Sequence, residues 1–259
     1  MINMFSVLKS DFYKLFCRKA FYICGLISGL VGVLLVALIN NEFPYAKELG
    51  YNGISSTYIG LGQVTLLATI FLSMFVSSEF SYGTIKNMCS RGISRAGIYL
   101  SKIIIGIFTS ITYILFTAFC GFVSGSLMWG VGELKSEDFW SILRLFGLFI
   151  LAEACLQSIF IMIGFLIRHS GGTVSANLGI YVTANILIFP ILDYGIKSLK
   201  WFELKESTSQ YWVGSYVQTF MSSLELDQAV INRGIIVCLV YFVISLITGI
   251  TTFYRRDVR

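Results

Sequence analysis

The chain has 259 residues, of which 56% are hydrophobic and only 13% are charged. A soluble domain usually carries about 25% charged residues, so this chain lacks the charge needed to cover a water-exposed surface. Composition therefore excludes a water-soluble enzyme, a disordered protein and a secreted disulfide-rich module, and it predicts an integral membrane protein.

The first 19 residues are predicted to form an amphipathic helix. Apolar residues recur there at helical spacing, and polar residues recur at every fourth position. The apolar set is Phe5, Leu8, Phe12 and Leu15, and the polar set is Ser6, Ser10, Lys14 and Arg18. A basic helix of this kind is typical of the membrane interface, where Lys and Arg meet anionic headgroups. An ordinary positively charged flank that happens to be helical is the alternative.

Six later stretches reach the roughly 20 apolar residues that a helix needs to cross a bilayer. They are predicted at residues 20–39, 54–78, 103–132, 142–167, 170–192 and 234–254. We therefore expect an all-α integral membrane protein with six transmembrane helices, built as one domain over residues 1–259.

The distribution of charge predicts the orientation of these helices. Twelve of the 19 basic residues fall on the side that holds the two termini, together with only three acids. The opposite side holds seven basic residues and ten acids. Because Lys and Arg accumulate on the cytoplasmic side of short loops, both termini are predicted to be cytoplasmic. The net charge of +5 is thus a topology signal, and no nucleic-acid partner is expected.

The cytoplasmic loop at residues 79–102 is predicted to contain a short helix. Gly83 is expected to break the helix of the second span, and Thr84 to cap about two turns at Ile85–Ser90. Gly92 is expected to end these turns. Basic side chains flank them at Lys86, Arg91 and Arg95. Such a helix can dock in a groove of another protein or lie on lipid, and the residues alone leave both open.

Glu153 is the one acid within the predicted spans, and an intramembrane carboxylate is a candidate functional group because its charge is costly to bury. It is expected in the outer half of the bilayer, with Gln157 one turn further on the same face. It belongs to a translocation path or a subunit interface, or it is a protonated acid bonded to a neighbouring helix. Gln63, Asn177 and Asn185 are expected to line the same cavity or to bond between helices.

The outer segment at residues 193–233 mixes aromatic and charged residues. Its aromatic residues include Trp201, Phe202, Tyr211, Trp212, Tyr216 and Phe220. They are expected to form an aromatic belt at the membrane interface, in an outer loop or outer helices.

The cytoplasmic loop resembles the loop after the second span in type-2 ATP-binding-cassette (ABC) transporter permeases. The resemblance lies in Ser-Ser-Glu-Phe-Ser-Tyr-Gly-Thr-Ile-Lys at 77–86, Ile-Ser-Arg at 93–95 and Ser-Lys at 101–102. The N-terminal helix, the six spans and the closing Phe-Tyr-Arg-Arg-Asp-Val extend it over the whole chain as architecture.

This resemblance implies that Gly83–Ser94 is a coupling helix, which sits in a cleft of an ATPase subunit. The residues assigned to coupling are Glu79, Gly83, Thr84, Ile85, Lys86, Met88, Arg91 and Arg95. Glu79 is expected to pair with Lys86 or a cytoplasmic Arg, or to contact the ATPase, unless it is only a solvated flank charge.

The same resemblance implies an exporter permease of the bacterial cytoplasmic membrane. Two permease chains, identical or similar, would bind two ATPases and move an amphipathic cargo, such as a bacteriocin or other peptide, a drug or a lipid. ATP and Mg²⁺ would be held by the ATPase, and this chain would bind no cofactor.

The residues give no sign of an ATPase, a catalytic centre or a metal site in this chain. A phosphate-binding loop needs a Gly-Lys dipeptide, and the sequence has none. The single histidine, His169, is expected in a five-residue turn, 169–173, between two spans. The six cysteines form no Cys-x-x-Cys pair. The alternative function is a secondary transporter or channel that works alone, and a membrane scaffold is a third.

Overall fold

The chain is helical throughout the part that the structure describes. The computed structural model describes residues 4–43, 45, 51–132, 136–192, 194, 208–222 and 227–255. The first helices are α1 (Met4–Cys17), α2 (Lys19–Glu42), α3 (Gly53–Ser56), α4 (Leu61–Ser81) and α5 (Thr84–Ser90). They are followed by α6 (Arg95–Trp129), α7 (Ser136–Ile167), α8 (Ser170–Thr183), α9 (Val213–Ser222) and α10 (Gln228–Arg255). The predicted all-α class is confirmed for these residues.

Among the described residues, six helical segments are long and apolar enough to cross a membrane. They are Lys19–Glu42, Gly53–Ser81, Arg95–Trp129, Trp140–Ile167, Ser170–Leu192 and Gln228–Arg255. The predicted number of spans is therefore confirmed, and it fits a multi-pass membrane protein. A helix suits lipid because it bonds its own backbone polar groups, which lipid cannot do.

The third span begins earlier than predicted. Its helix, α6, starts at Arg95 rather than at residue 103, because the Ser94 hydroxyl caps it by accepting from the Gly97 amide at 3.2 Å. At 1.5 Å per residue, the 35 residues of α6 extend about 52 Å, well beyond a hydrocarbon core of about 30 Å. The predicted loop 79–102 therefore contains the first two turns of α6.

The second span is interrupted near its N-terminal end. Asn52 starts α3 with a capping box, in which its side chain accepts from the Ser55 amide at 2.9 Å. A turn at residues 57–60 then separates α3 from α4. The turn of α3 packs closely on α6, where Ser56 donates its hydroxyl hydrogen to the Gly121 carbonyl at 2.9 Å.

The connection between α7 and α8 is shorter than the predicted five-residue turn. Only Arg168 and His169 lie between the two helices, and residues 170–173 already belong to α8. His169 caps α8, because its Nδ1 accepts from the Gly172 amide at 3.3 Å. The expectation of a flexible turn over 169–173 is therefore wrong.

Part of the outer segment 193–233 lies outside the described residues, including Trp201 and Phe202. Its described part forms α9 and the first turns of α10. Trp212, Tyr216 and Phe220 are buried in the core, and Phe189 stacks on Trp212 at 5.8 Å between ring centroids. These three rings therefore pack inside the bundle instead of forming an exposed belt, whereas Tyr211 is exposed.

Candidate functional site

Helix α5 is bounded by two glycines with left-handed backbone conformations. Gly83 precedes it at φ 65°, and no side chain caps its first turn, so the expected capping by Thr84 is wrong. Gly92 follows it at φ 78°. The Gly92 amide donates to the Cys89 carbonyl at 3.1 Å, and the Ile93 amide donates to the Met88 carbonyl at 3.3 Å. This pair of bonds is a Schellman motif, which ends the helix where the sequence predicts.

The two faces of α5 have different surroundings. Ile85 is fully buried in the main hydrophobic core, and Met88 packs against that core in a half-buried position. Lys86 and Ser90 are exposed on the opposite side, whereas Asn87 and Arg91 are exposed towards α1. The residues assigned to coupling thus fall into an inner set that holds α5 in place and an outer set that a partner can reach.

Arg95 belongs to neither set, because it anchors the end of α10. Its Nη1 donates to the carbonyls of Phe253 and Tyr254 at 2.9 and 3.0 Å, and its guanidinium lies 5.7 Å from the Phe253 ring centroid. A cation at the last carbonyls of a helix is favourable. Arg95 therefore ties α6 to the C-terminal end of the last span.

Glu79 lies at the foot of α4 in a buried cluster of four charges. Its Oε2 is 2.6 Å from the Lys102 ammonium, and its Oε1 is 3.0 Å from the Lys14 ammonium. Asp11 completes the cluster, with its Oδ1 at 2.8 Å from Lys102 and 3.5 Å from Lys14. Two carboxylates thus face two ammonium groups, and the formal charges cancel.

The expected partner of Glu79 is therefore wrong, and so is the alternative of a solvated flank charge. Lys86 is exposed on α5, while Glu79 is only 2% exposed. The actual partners are Lys14 of α1 and Lys102 of α6. Because α6 already begins at Arg95, Lys102 is part of this helix, and its side chain is buried in the bundle. The cluster joins α1, α4 and α6 at one level.

Two neighbouring contacts strengthen this junction. Ser101 donates its hydroxyl hydrogen to Asp11 Oδ2 at 2.5 Å. Arg18 donates to the Ser78 hydroxyl at 2.7 Å, and its guanidinium lies 4.8 Å from the Phe75 ring centroid. Buried ion pairs need such additional hydrogen bonds to offset the desolvation of the charges.

Asp11, Lys14 and Lys102 were absent from the residues predicted to act with Glu79. A signal for Asp11 exists in the sequence, because Val7, Asp11 and Leu15 recur every four residues and so share one face of α1. All three side chains are buried. An acid in the middle of a buried stripe requires a cationic partner, although the stripe does not say which one.

Helix α1 therefore has three distinct faces. The first is the buried stripe with Asp11. The second is aromatic, with Phe12 and Phe16 packed on Phe108 at 5.0 and 5.9 Å between ring centroids and Phe5 exposed. The third is the polar line that begins at Ser6 and leads to Lys14, and it turns towards α5 rather than away from the protein.

Glu153 is fully buried between α7 and α4. Its Oε1 accepts the hydroxyl hydrogen of Thr65, and its Oε2 accepts from Gln157 Nε2 at 3.2 Å. The shared face of Glu153 and Gln157 is thus confirmed. The bond to Thr65 matches one of the alternatives considered for Glu153, an acid bonded to a neighbouring helix.

The other polar residues assigned to a path lie at separate places. Asn177 donates to the Ser73 hydroxyl at 2.7 Å and to the Phe160 carbonyl at 3.2 Å, so it bonds between helices. Asn185 donates to the Tyr181 carbonyl of its own helix at 2.8 Å. Gln63 is half-buried near the start of α4. The side-chain hydrogen bonds of Asn177 and Asn185 therefore do not lead to Glu153.

A line of buried hydroxyls runs along α4 between Glu153 and Glu79. Thr65, Thr69, Ser73 and Ser77 repeat every four residues and are all buried. Thr69 donates to the Thr65 carbonyl at 2.6 Å, which satisfies its hydroxyl within the helix. The face of α4 that meets α7 and α8 is consequently polar at every turn.

Comparison with known proteins gives a family but no activity. Residues 25–259 match the family model described as "Protein of unknown function (DUF2705)". The matched region begins within α2 and extends through α10. No curated protein matches the chain.

Proposed function

The chain belongs to the DUF2705 family, and from its own residues we propose that it is the membrane-spanning permease subunit of an ABC exporter. The ATPase is a separate polypeptide, because this sequence lacks a Gly-Lys phosphate-binding loop. Two permease chains, identical or similar, pair in the bacterial cytoplasmic membrane with their termini in the cytoplasm.

The observation that carries the proposal is the way in which α5 is attached to the rest of the bundle. Its inner face is held by the buried Ile85, and it lies between α4 and α6, whose ends are joined by the cluster of Glu79, Lys102, Asp11 and Lys14. A force applied to the outer face of α5 is therefore transmitted to two spans at once. This is the mechanical requirement for coupling ATP hydrolysis to movement of the bundle.

The outer face of α5 indicates the chemistry of the ATPase surface. Its exposed side chains are Lys86 and Ser90, with Tyr82 78% exposed just before the helix. A cation and a ring favour an acidic groove with an apolar edge. Ile85 does not belong to this contact, because it is buried within the permease itself.

The test is capture of the ATPase by the tagged permease when the ATPase genes adjacent to its own gene are co-expressed. We expect the wild-type chain to retain the ATPase in detergent, and the variant Lys86→Glu to lose it. The matched control, Lys19→Glu, changes an exposed lysine at the start of α2 and should retain the ATPase. Failure of the wild-type chain to retain any neighbouring ABC ATPase would overturn the proposal.

The proposed cargo is amphipathic, such as a bacteriocin or other peptide, a drug or a lipid. A bundle with 15% aromatic residues and few charges favours a ligand with a large apolar surface. Deletion of the gene should sensitise cells to one member of a panel of peptides and drugs, and a catalytically dead ATPase should give the same phenotype.

A second candidate function is a transporter that works without an ATPase. Glu153 favours it, since a fully buried carboxylate bonded to Thr65 and Gln157 has the surroundings of a proton-binding group. Reconstituted permease would then move cargo in response to a pH gradient alone, and Glu153→Gln would abolish that movement. Under the exporter proposal, Glu153→Gln leaves ATP-dependent transport intact.

A further inference from the structure

A cleft of about 340 Å³ lies between α1 and α5, beside the buried charge cluster. Most of its lining side chains are polar, and a smaller group is apolar. The polar group is Ser6, Ser10, Lys14, Thr84, Asn87 and Arg91, and the apolar group is Val7, Met88 and Ile93. Clefts that hold small molecules begin at about this volume.

The polar side chains of the cleft are mostly available to a ligand. Within the described part of the chain, the side chains of Ser6, Ser10, Thr84, Asn87 and Arg91 have no hydrogen-bond or ion-pair partner. Lys14 uses two of its three N–H groups on Glu79 and Asp11, at 3.0 and 3.5 Å. Five unpartnered side chains and one free ammonium hydrogen thus converge on one space.

The charge of this cleft is positive. The nearest acids, Asp11 and Glu79, are committed to Lys14 and Lys102, and both are buried behind the cleft wall. Arg91 has no such partner. Hydroxyls, an amide and a guanidinium together provide donors that match the oxygens of a phosphate group.

The cleft lies at the level where the apolar spans end in charged residues, which is the level expected for lipid headgroups. Arg18 and Lys19 mark the start of α2, the first span, and Glu79 and Lys102 mark the same level on α4 and α6. The cleft lies beside this charged layer, reached along α1 from Lys14 to Ser10 and Ser6. The aromatic face of α1, with Phe5 and Phe16 exposed, points elsewhere and suits the apolar side of the same interface.

We propose that the cleft between α1 and α5 binds the phosphate group of an anionic phospholipid. Arg91 and Lys14 hold the phosphate oxygens, the hydroxyls of Ser6, Ser10 and Thr84 donate to them, and Val7, Met88 and Ile93 contact the glycerol and first methylenes. A soluble phosphate compound offers the same oxygens but no apolar part, which makes the lipid the better occupant.

The test uses the purified full chain in detergent, titrated with phosphatidylglycerol, phosphatidylcholine or inorganic phosphate, with bound lipid counted by native mass spectrometry. Thermal unfolding gives a second readout. We expect phosphatidylglycerol to bind at least tenfold more tightly than phosphatidylcholine, and inorganic phosphate to leave the unfolding temperature unchanged. Arg91→Ala should weaken phosphatidylglycerol binding about fivefold, the effect of one basic residue near a membrane surface.

Two further variants, Ser10→Glu and Lys9→Gln, form a matched pair. Each lowers the net charge by one, and the two positions are neighbours in α1. Ser10 lines the cleft, whereas Lys9 is exposed and does not line it. Ser10→Glu should weaken phosphatidylglycerol binding at least about fivefold, and Lys9→Gln should leave it within twofold.

Three outcomes would overturn the proposal. They are equal binding of the two lipids, equal effects of Ser10→Glu and Lys9→Gln, and stabilisation by inorganic phosphate that matches stabilisation by phosphatidylglycerol. Because no ATPase or cargo is present in this experiment, its result is independent of the exporter proposal.

Discussion

Lys102 of α6 and Glu79 of α4 form an ion pair of 2.6 Å in which neither side chain is more than 2% exposed. The pair is held from a third helix, because Asp11 of α1 contacts Lys102 at 2.8 Å and Lys14 of α1 contacts Glu79 at 3.0 Å. The N-terminal helix is thus fastened by its charges to the feet of two spans.

Replacement of Lys102 by Met should lower the free energy of unfolding by about 3–5 kcal/mol, because it leaves two buried carboxylates with only Lys14. Thermal unfolding of the purified chain in detergent measures the effect. The double variant Glu79→Leu, Lys102→Met should be more stable than Lys102→Met, since Asp11 and Lys14 then remain balanced. Lys19→Met, at an exposed position, serves as the control. Equal melting of Lys102→Met and wild type would show that the pair does not hold the junction.

Gly121 should not tolerate a methyl group. A Cβ atom there would lie 2.6 Å from the Ser56 carbonyl oxygen, a backbone atom of α3 that has no room to move away. Gly121→Ala should therefore cost about 1–3 kcal/mol through overpacking. Gly147→Ala is the matched control, because nothing lies within 4 Å of its Cβ position in α7. That variant should be neutral or stabilise the helix by up to about 1 kcal/mol, and a greater loss than in Gly121→Ala would contradict the packing.

Gly83 should be more important to α5 than Thr84. Its φ of 65° costs an L-residue about 1–2 kcal/mol, so Gly83→Ala should loosen the start of the helix. Thr84→Val should have little effect, because the Thr84 hydroxyl makes no capping bond. Hydrogen exchange of the amides of α5 measures both variants. Faster exchange in Thr84→Val than in Gly83→Ala would indicate that the hydroxyl caps the helix after all.

Cys17 and Cys89 provide natural probes of orientation. Cys17 is exposed at the end of α1, and Cys89 is partly buried in α5. If this side is cytoplasmic, a membrane-impermeant maleimide should label both in inverted vesicles and neither in intact cells. Labelling in intact cells would reverse the proposed topology, and Cys17→Ser and Cys89→Ser assign the signal to each thiol.

The Cys89 thiol should also respond to pH. Burial raises the pKa of Cys89, and the charge of Arg95 opposes this rise in part. A raised pKa leaves less thiolate at neutral pH, so labelling should accelerate as pH rises towards 9. Arg95→Gln should slow labelling at a given pH, because it removes the charge that lowers the pKa.

Much of the fold follows from local properties of the sequence. The six spans follow from the length of each apolar stretch, and the end of α5 follows from Gly92, whose left-handed backbone suits glycine. The starts of helices were predicted less well. Ser94 caps α6 eight residues before the apolar stretch begins, because a cap depends on one hydroxyl and not on hydropathy.

The candidate site was predicted only in part, since its members lie far apart in the chain. The loop motif identified Glu79 and α5, whereas the pairing of Asp11 with Lys102 became recognisable only from the packing of α1 against α6. Ile85 illustrates the same limit of prediction from sequence. Its apolar side chain is compatible with docking on a partner and with burial between α5 and the bundle. Only the packing distinguishes these two positions.

By itself, the sequence determined the membrane class, the number of spans and the separation of charge between the two sides. Each of these depends on the solvation energy of a continuous segment, so it can be predicted from the order of residues along the chain. The tertiary structure alone decided which charges neutralise one another, which aromatic rings are buried and where α1 meets α5. Those outcomes depend on contacts between residues far apart in the chain, such as Asp11 and Lys102, which are 91 positions apart and which no local pattern specifies.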